Sequence, residues 1–169
     1  DCQLNERRRG RVVAACWIVA LALLFAGCAS NVRFAKSDDL QIVTPTASDA
    51  IRDLPVRVAW DARGDAADAK HFAVFVDRSP IAPGKTISSL LTKECRRSAA
   101  CSATYLEAAR VYVTSERAMV LDSLTRRQLR GRNSGRELHT VTVVALDENL
   151  ARVGESYAAR SFTLIRKNR

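Results

Sequence analysis

Few residues in this chain could do chemistry, and their spacing limits what that chemistry could be. His71 and His139 are the two histidines available as general bases. A Ser or Cys nucleophile needs such a base, itself oriented by a carboxylate, and no Gly-x-Ser-x-Gly elbow presents a serine. His139 alternates with Val141 and Val143, which puts it on an apolar strand face rather than in a cleft. His71 opens a strand and reads as exposed or half-buried. Two carboxylate pairs, Asp38/Asp39 and Asp65/Asp68, lack the apolar surroundings that raise one pKa for acid catalysis. A metal at Cys95 and Cys101 would need further ligands, and neither histidine is near them in sequence. Pro83-Gly84-Lys85-Thr86 follows an apolar strand, the setting of a phosphate-cradling loop. Yet the loop's first glycine would fall at Ser79, and Pro80 and Pro83 lack the N–H donors a cradle uses. These residues imply no catalytic site, no metal site, and no cofactor or nucleotide.

Arginine is concentrated in one place. Arg126, Arg127, Arg130, Arg132 and Arg136 fall within the polar, glycine-containing stretch Thr125–Glu137, which reads as a loop. Guanidinium groups at that density can grip phosphates or carboxylates through paired hydrogen bonds. No aromatic residue is interleaved for base stacking, so nucleic acid is disfavoured. The alternative is that a chain with 27 Lys and Arg against 18 Asp and Glu simply uses Arg as its surface cation.

Which partner such a loop could meet depends on compartment, and the N-terminal segment addresses that. Arg7, Arg8, Arg9 and Arg11 precede the uncharged apolar run Val12–Ala26, which is shorter than the ~20 residues a membrane-spanning helix needs. A basic start, a short apolar run and small residues at its end make a secretory signal. Its last residues, Leu24-Phe25-Ala26-Gly27-Cys28, resemble the lipobox of bacterial lipoproteins, with Phe25 where that family usually has Leu. The resemblance implies a helical signal peptide over residues 1–27, lipidation at Cys28, and a place in the bacterial cell envelope. Ala29-Ser30 lacks the Asp that resembles an inner-membrane retention signal, which favours the outer membrane, facing the periplasm. An ordinary signal peptide or a short uncleaved anchor is the alternative. The chain opens on Asp1 rather than Met, so its first residues read as an incomplete or misplaced start. Removing residues 1–27, with four arginines, Asp1 and Glu6, lowers the net charge from +9 to +7 and leaves enough chain for one domain with a core. Cys2 and Cys16 leave with the signal and Cys28 takes the lipid. Cys95 and Cys101 remain, and an even pair in an oxidising compartment reads as one structural disulfide. A redox pair favours Cys-x-x-Cys, with fewer intervening residues than here.

The remaining chain must supply the elements that hold these groups. Residues 28–40 are polar and aperiodic, a flexible tether. Gln41–Thr46 reads as a strand ended by Pro45, and Pro55–Asp61 alternates Val56, Val58 and Trp60 against Arg57, Ala59 and Asp61. Arg63-Gly64-Asp65 is a turn signal, and His71–Asp77 is a more uniformly apolar strand. Ser79–Thr104 is irregular, with a short helix expected over Thr86–Glu94 and the disulfide loop after it. Strands follow at Val111–Thr114 and Ala118–Leu121, then at Leu138–Asp147 and, bent at Gly154, over Arg152–Ile165. About seven short strands without long helical periodicity predict an all-β, antiparallel β-sandwich over residues 41–166, with a short helical, disulfide-bearing insert.

Leu54–Trp60 resembles the second strand of fibronectin type III and related immunoglobulin-like domains, where a core Trp ends a Val-x-Val-x-Trp run. Leu124, followed by His139, Val141, Val143 and Ala145, resembles their sixth strand and the leucine before it; that family usually has Tyr where His139 stands. The resemblance implies a non-catalytic interaction or assembly module of the envelope, its partners a membrane through the N-terminal lipid and an envelope protein or anionic polymer. The alternatives are a receptor for anionic envelope polymer or lipopolysaccharide acting through the basic loop, and, third, an envelope hydrolase. In the fibronectin-III order the N-terminus and the arginine loop lie at opposite ends of the sandwich.

Overall fold

The computed structural model describes residues 38–46, 50–51, 54–124 and 136–165. Within them the strands are β1 (Leu40–Thr44), β2 (Ala50–Ile51), β3 (Val56–Ala62), β4 (His71–Val76), β5 (Val111–Thr114), β6 (Ala118–Leu121), β7 (Arg136–Leu146) and β8 (Ala158–Ile165). Two helices accompany them, α1 (Gly64–Ala67) and α2 (Ala99–Ala108). The strands form two sheets, in the orders β1-β3-β6 and β2-β8-β7-β4-β5. This is an immunoglobulin- and fibronectin-III-like β-sandwich, with strands one, three and six on one side and the rest on the other. It departs from the expected count and sense at one strand. The two-residue β2 makes eight, and it pairs parallel with β8 while the other named pairings are antiparallel. Two residues are too few to show alternation, so nothing local marks them as a strand.

The alternating residues of β3 bury Val56, Val58, Trp60 and Ala62 between the sheets. They meet Phe72, Val74 and Val76 of β4, Val141, Val143 and Ala145 of β7, and Phe162 and Leu164 of β8. Trp60 packs edge-on against Phe72, with ring centroids 5.5 Å apart at 65°, the arrangement that aromatic quadrupoles favour.

From Phe72 to Val76 β4 is apolar because it is buried on both faces. Its other face carries Ala73 and Phe75, which pack with Val144 and Leu146 against Ile81, Ile87 and Val111. The cover is the chain between β4 and β5. It holds two 3-10 turns, Ile87–Leu90 and Cys95–Arg97, and then α2. The helix expected over Thr86–Glu94 is therefore only the short turn at Ile87–Leu90, and the longer helix lies further on, across Ala99–Ala108. The reason is physical: no residue of α2 is buried, so it carries no apolar stripe to read.

Two boundaries also shift. Leu40 begins β1 rather than ending the tether, and the Asp39 carbonyl accepts a 2.6 Å hydrogen bond from the Arg63 N–H. Arg136 and Glu137 belong to β7 rather than to the preceding loop. The Arg63-Gly64-Asp65 turn winds into α1, where Gly64 has φ +48°, and a Cβ there would sit 2.7 Å from the Asp39 carboxylate. Glycine suits that position best. Among the described residues no helix is long and apolar enough to cross a membrane.

Candidate functional site

Chemistry-bearing side chains converge where β4 ends. Asp77 follows β4 with φ +55°, a left-handed conformation that Asp tolerates better than most residues. Its N–H donates to the Thr140 carbonyl at 2.8 Å, and its Oδ1 accepts from the Thr140 N–H at 2.9 Å. The pair clamps the end of β4 onto β7. The second oxygen, Oδ2, lies 2.8 Å from His139 Nδ1 and accepts from Arg110 Nη1 at 3.2 Å. On the far side of the ring, His139 Nε2 lies 3.3 Å from Glu137 Oε2. His139 is 0% exposed and the Asp77 side chain 2%. The ring also lies over Phe162, its cross-strand partner, at a centroid distance of 5.8 Å.

Arg110 is held in place by its own chain. It follows the α2 C-cap, Ala109, with φ +58°, at the position where helices favour glycine. Its N–H donates to the Glu107 carbonyl at 2.8 Å, and its carbonyl accepts from the Val76 N–H at 3.0 Å.

Asp77 and His139 are spaced like the acid and base of a catalytic triad, but the next atom decides the role. A triad base aims its second nitrogen at a nucleophile. Here that nitrogen faces Glu137, and the ring has no exposed surface. The constellation works as a hydrogen-bonded clamp. The His139 ring packs on Phe162 and makes its polar contacts with the Asp77 and Glu137 carboxylates. His71 lies at the opposite end of β4, paired with Leu146, so the two histidines do not meet. Among the described residues no cluster is arranged to hold a metal ion.

A second charged group is buried beneath the insert. Arg152, 2% exposed, donates from Nη1 to the Ile81 carbonyl at 2.7 Å and from Nη2 to the Glu155 carbonyl at 2.6 Å. Burial pushes the guanidinium pKa below its ordinary value, while Glu155 and Tyr157 pull it back up. The Arg152 backbone also explains the Pro83–Thr86 stretch. The Gly84 N–H donates to the Arg152 carbonyl at 3.0 Å, and the Arg152 N–H to the Lys85 carbonyl at 2.9 Å. That pairing makes a zipped turn rather than a phosphate cradle.

Cys95 and Cys101 are disulfide-bonded, with Cα atoms 5.0 Å apart. Cys28, Arg126, Arg127, Arg130 and Arg132 lie outside the described residues. Arg136 is exposed and opens β7 opposite Ile165. Leu124, the residue before the arginine segment, lines a hollow of 330 Å³ with Val76, Glu107, Arg110 and Tyr112. Burial and the neighbouring Glu107 push the Tyr112 phenol pKa up, and Arg110 opposes them. β7 runs from Arg136 to Leu146, which pairs with His71 just after the turn that carries Arg63 and α1. At about 3.3 Å per residue that strand spans roughly 33 Å. The chain therefore enters the sandwich at one end, with Asp39 on Arg63, and both flanks of the arginine segment stand at the other.

Sequence reading misses Asp77 and finds Glu137 only as a loop residue. Glu137 carried a usable signal, because a residue two before His139 on a strand shares its face. Asp77 carried none, since it stands 62 positions away.

No protein-family model matches the chain, and no curated protein matches it. Among solved structures, the chain is similar to the fibronectin(III)-like modules of Clostridium thermocellum CbhA at 10% identity and a TM-score of 0.41, over 76% of this chain and 99% of that one. The fold assignment rests on the strand order and register of the chain itself.

Proposed function

We propose that this protein is a lipid-anchored component of the bacterial cell envelope whose sandwich is a non-catalytic interaction or assembly module. The observation that carries the reading is the polarity of the domain. The chain enters at the Asp39 end, whereas Leu124 and Arg136, which flank the arginine segment, lie at the other. Cys28 is the proposed lipid site, and Arg126, Arg127, Arg130, Arg132 and Arg136 form the proposed contact surface, acting on a partner beyond the anchoring leaflet. The clamp around His139 favours a binding role over a hydrolytic one, because both ring nitrogens are occupied and no face of the ring is open.

A second reading, a receptor for anionic envelope polymer or lipopolysaccharide, is favoured by the arginine density. One experiment addresses both. The intact protein and its Arg126→Glu/Arg127→Glu/Arg130→Glu variant are used to capture partners from the envelope, with mass spectrometry and a polyanion column as readouts. Loss of a captured protein supports the assembly module, and loss of salt-sensitive polyanion retention alone supports the polymer receptor. Unchanged capture and retention overturn the arginine surface in both. Cys28→Ser tests the anchor separately: a variant that stays membrane-bound with unaltered processing ends that part of the proposal.

A further inference from the structure

Helix α2 is held at its ends rather than along its length. It has ten residues and none is buried. A helix that short is marginal in water unless something outside it supplies stability. At its N-terminal end the supply is covalent. Cys101 lies in the first turn and is bonded to Cys95, which is 7% exposed and so seated in the insert's packing. Ser102 Oγ donates to the Cys95 carbonyl at 2.7 Å, and the Ser98 side chain accepts from the Cys101 N–H at 3.3 Å. At the C-terminal end the fastenings are noncovalent. Arg78 Nη1 donates to the Ala109 carbonyl at 2.8 Å, Arg110 reaches Asp77, and Leu106 and Ala109 pack partly against the outer core.

We propose that α2 is a thiol-controlled strap, folded while Cys95 and Cys101 are bonded and locally unfolded once they are reduced, with the sandwich intact in both states. Cys101 is the more exposed sulfur carrier, so exchange enters there. A thiolate of an external dithiol attacks Cys101 Sγ, and Cys95 leaves as a thiolate. The reductant's second thiolate then attacks its own sulfur in the mixed disulfide and releases Cys101. The dithiol is oxidised by two electrons, its own sulfurs now joined, and the protein gains two thiols. Unfolding of α2 removes Thr104, Glu107 and Ala108 from the wall of the hollow they share with Val76, Tyr112 and Leu124. The proposal is independent of the lipid anchor and of the arginine segment.

The test is hydrogen exchange by mass spectrometry on the full oxidised chain, before and after a small dithiol, with alkylation counting the two thiols released. Exchange over Ala99–Ala108 is expected to accelerate by about tenfold or more, as for a segment opening on its own, while β4 and Val141–Leu146 keep their protection. A Cys95→Ser/Cys101→Ser variant is expected to match the reduced protein. Unchanged exchange in α2 after full alkylation overturns the proposal. Equal acceleration in the core strands, or collapse of the reduced protein, overturns it too, because the disulfide would then be a staple of the whole fold.

Discussion

The five-stranded sheet is covered on both faces, but by different means. Its inner face meets the three-stranded sheet through interlocking apolar side chains, Trp60 on Phe72 and Val58 among them. Its outer face meets the insert, which offers fewer apolar residues, chiefly Ile81 and Ile87, and relies on separate polar and covalent fastenings. These are the Arg152 guanidinium on the Ile81 carbonyl and Arg110 on Asp77, with the Cys95–Cys101 bond closing the insert on itself. Interlocked packing spreads stability over many contacts, so no single contact opens it. Fastenings concentrate stability in a few bonds, and a cover held that way can open alone.

Four substitutions probe that contrast, the first having the largest effect. Trp60→Ala empties the middle of the inner face and is expected to cost about 3–5 kcal/mol of unfolding free energy, read by urea denaturation with all probes moving together. A loss under about 1 kcal/mol would mean the inner face is not the stabilising one. His139→Ala removes the ring from its packing on Phe162 and its hydrogen bonds with Asp77 and Glu137, at an expected cost of about 3 kcal/mol. Retention of full stability would show that solvent already reaches the clamp.

Arg152→Met tests a fastening of the outer cover. It leaves the Ile81 and Glu155 carbonyls without their donor and is expected to cost about 2 kcal/mol. Hydrogen exchange should rise in the insert before it rises in β4; a uniform rise would erase the distinction between the two faces.

The smallest expected effect is at Tyr112. Its phenol pKa is raised in the fold, first by burial and then by Glu107. A group raised on folding contributes stability that is whole below its unfolded value, about 10, and is lost as pH climbs through the folded one. Melting temperature should therefore fall in alkali above about pH 10, and Tyr112→Phe should lessen that fall while leaving the neutral value nearly unchanged. An identical alkaline decline in both proteins would remove Tyr112 as a contributor.

How far these residues were legible depends on the kind of contact each makes. Val56, Val58 and Trp60 announce themselves, because a period of two along β3 is the direct image of one buried face. The uniformly apolar β4 hinted at a second cover without saying what supplied it. The Cys95–Cys101 disulfide was expected from the even pair of cysteines outside the N-terminal signal-like segment. α2 was invisible, since a helix without a buried side chain leaves no pattern of period 3.6.

The sequence by itself determined where the longer strands form and which of their faces turns inward. Those properties are local, written in neighbours two or a few positions apart. Tertiary structure alone decided that β2 would run parallel to β8, that the insert would lie over β4 and β7, and that Asp77 would meet His139 and Arg110. Such meetings join residues tens of positions apart, and their partners are chosen by the whole packing rather than by any repeating pattern in the chain. His139 shows the boundary most clearly. Its alternation with Val141 and Val143 said that it would be buried, and only the arrival of Asp77 from the end of β4 made it part of a hydrogen-bonded clamp.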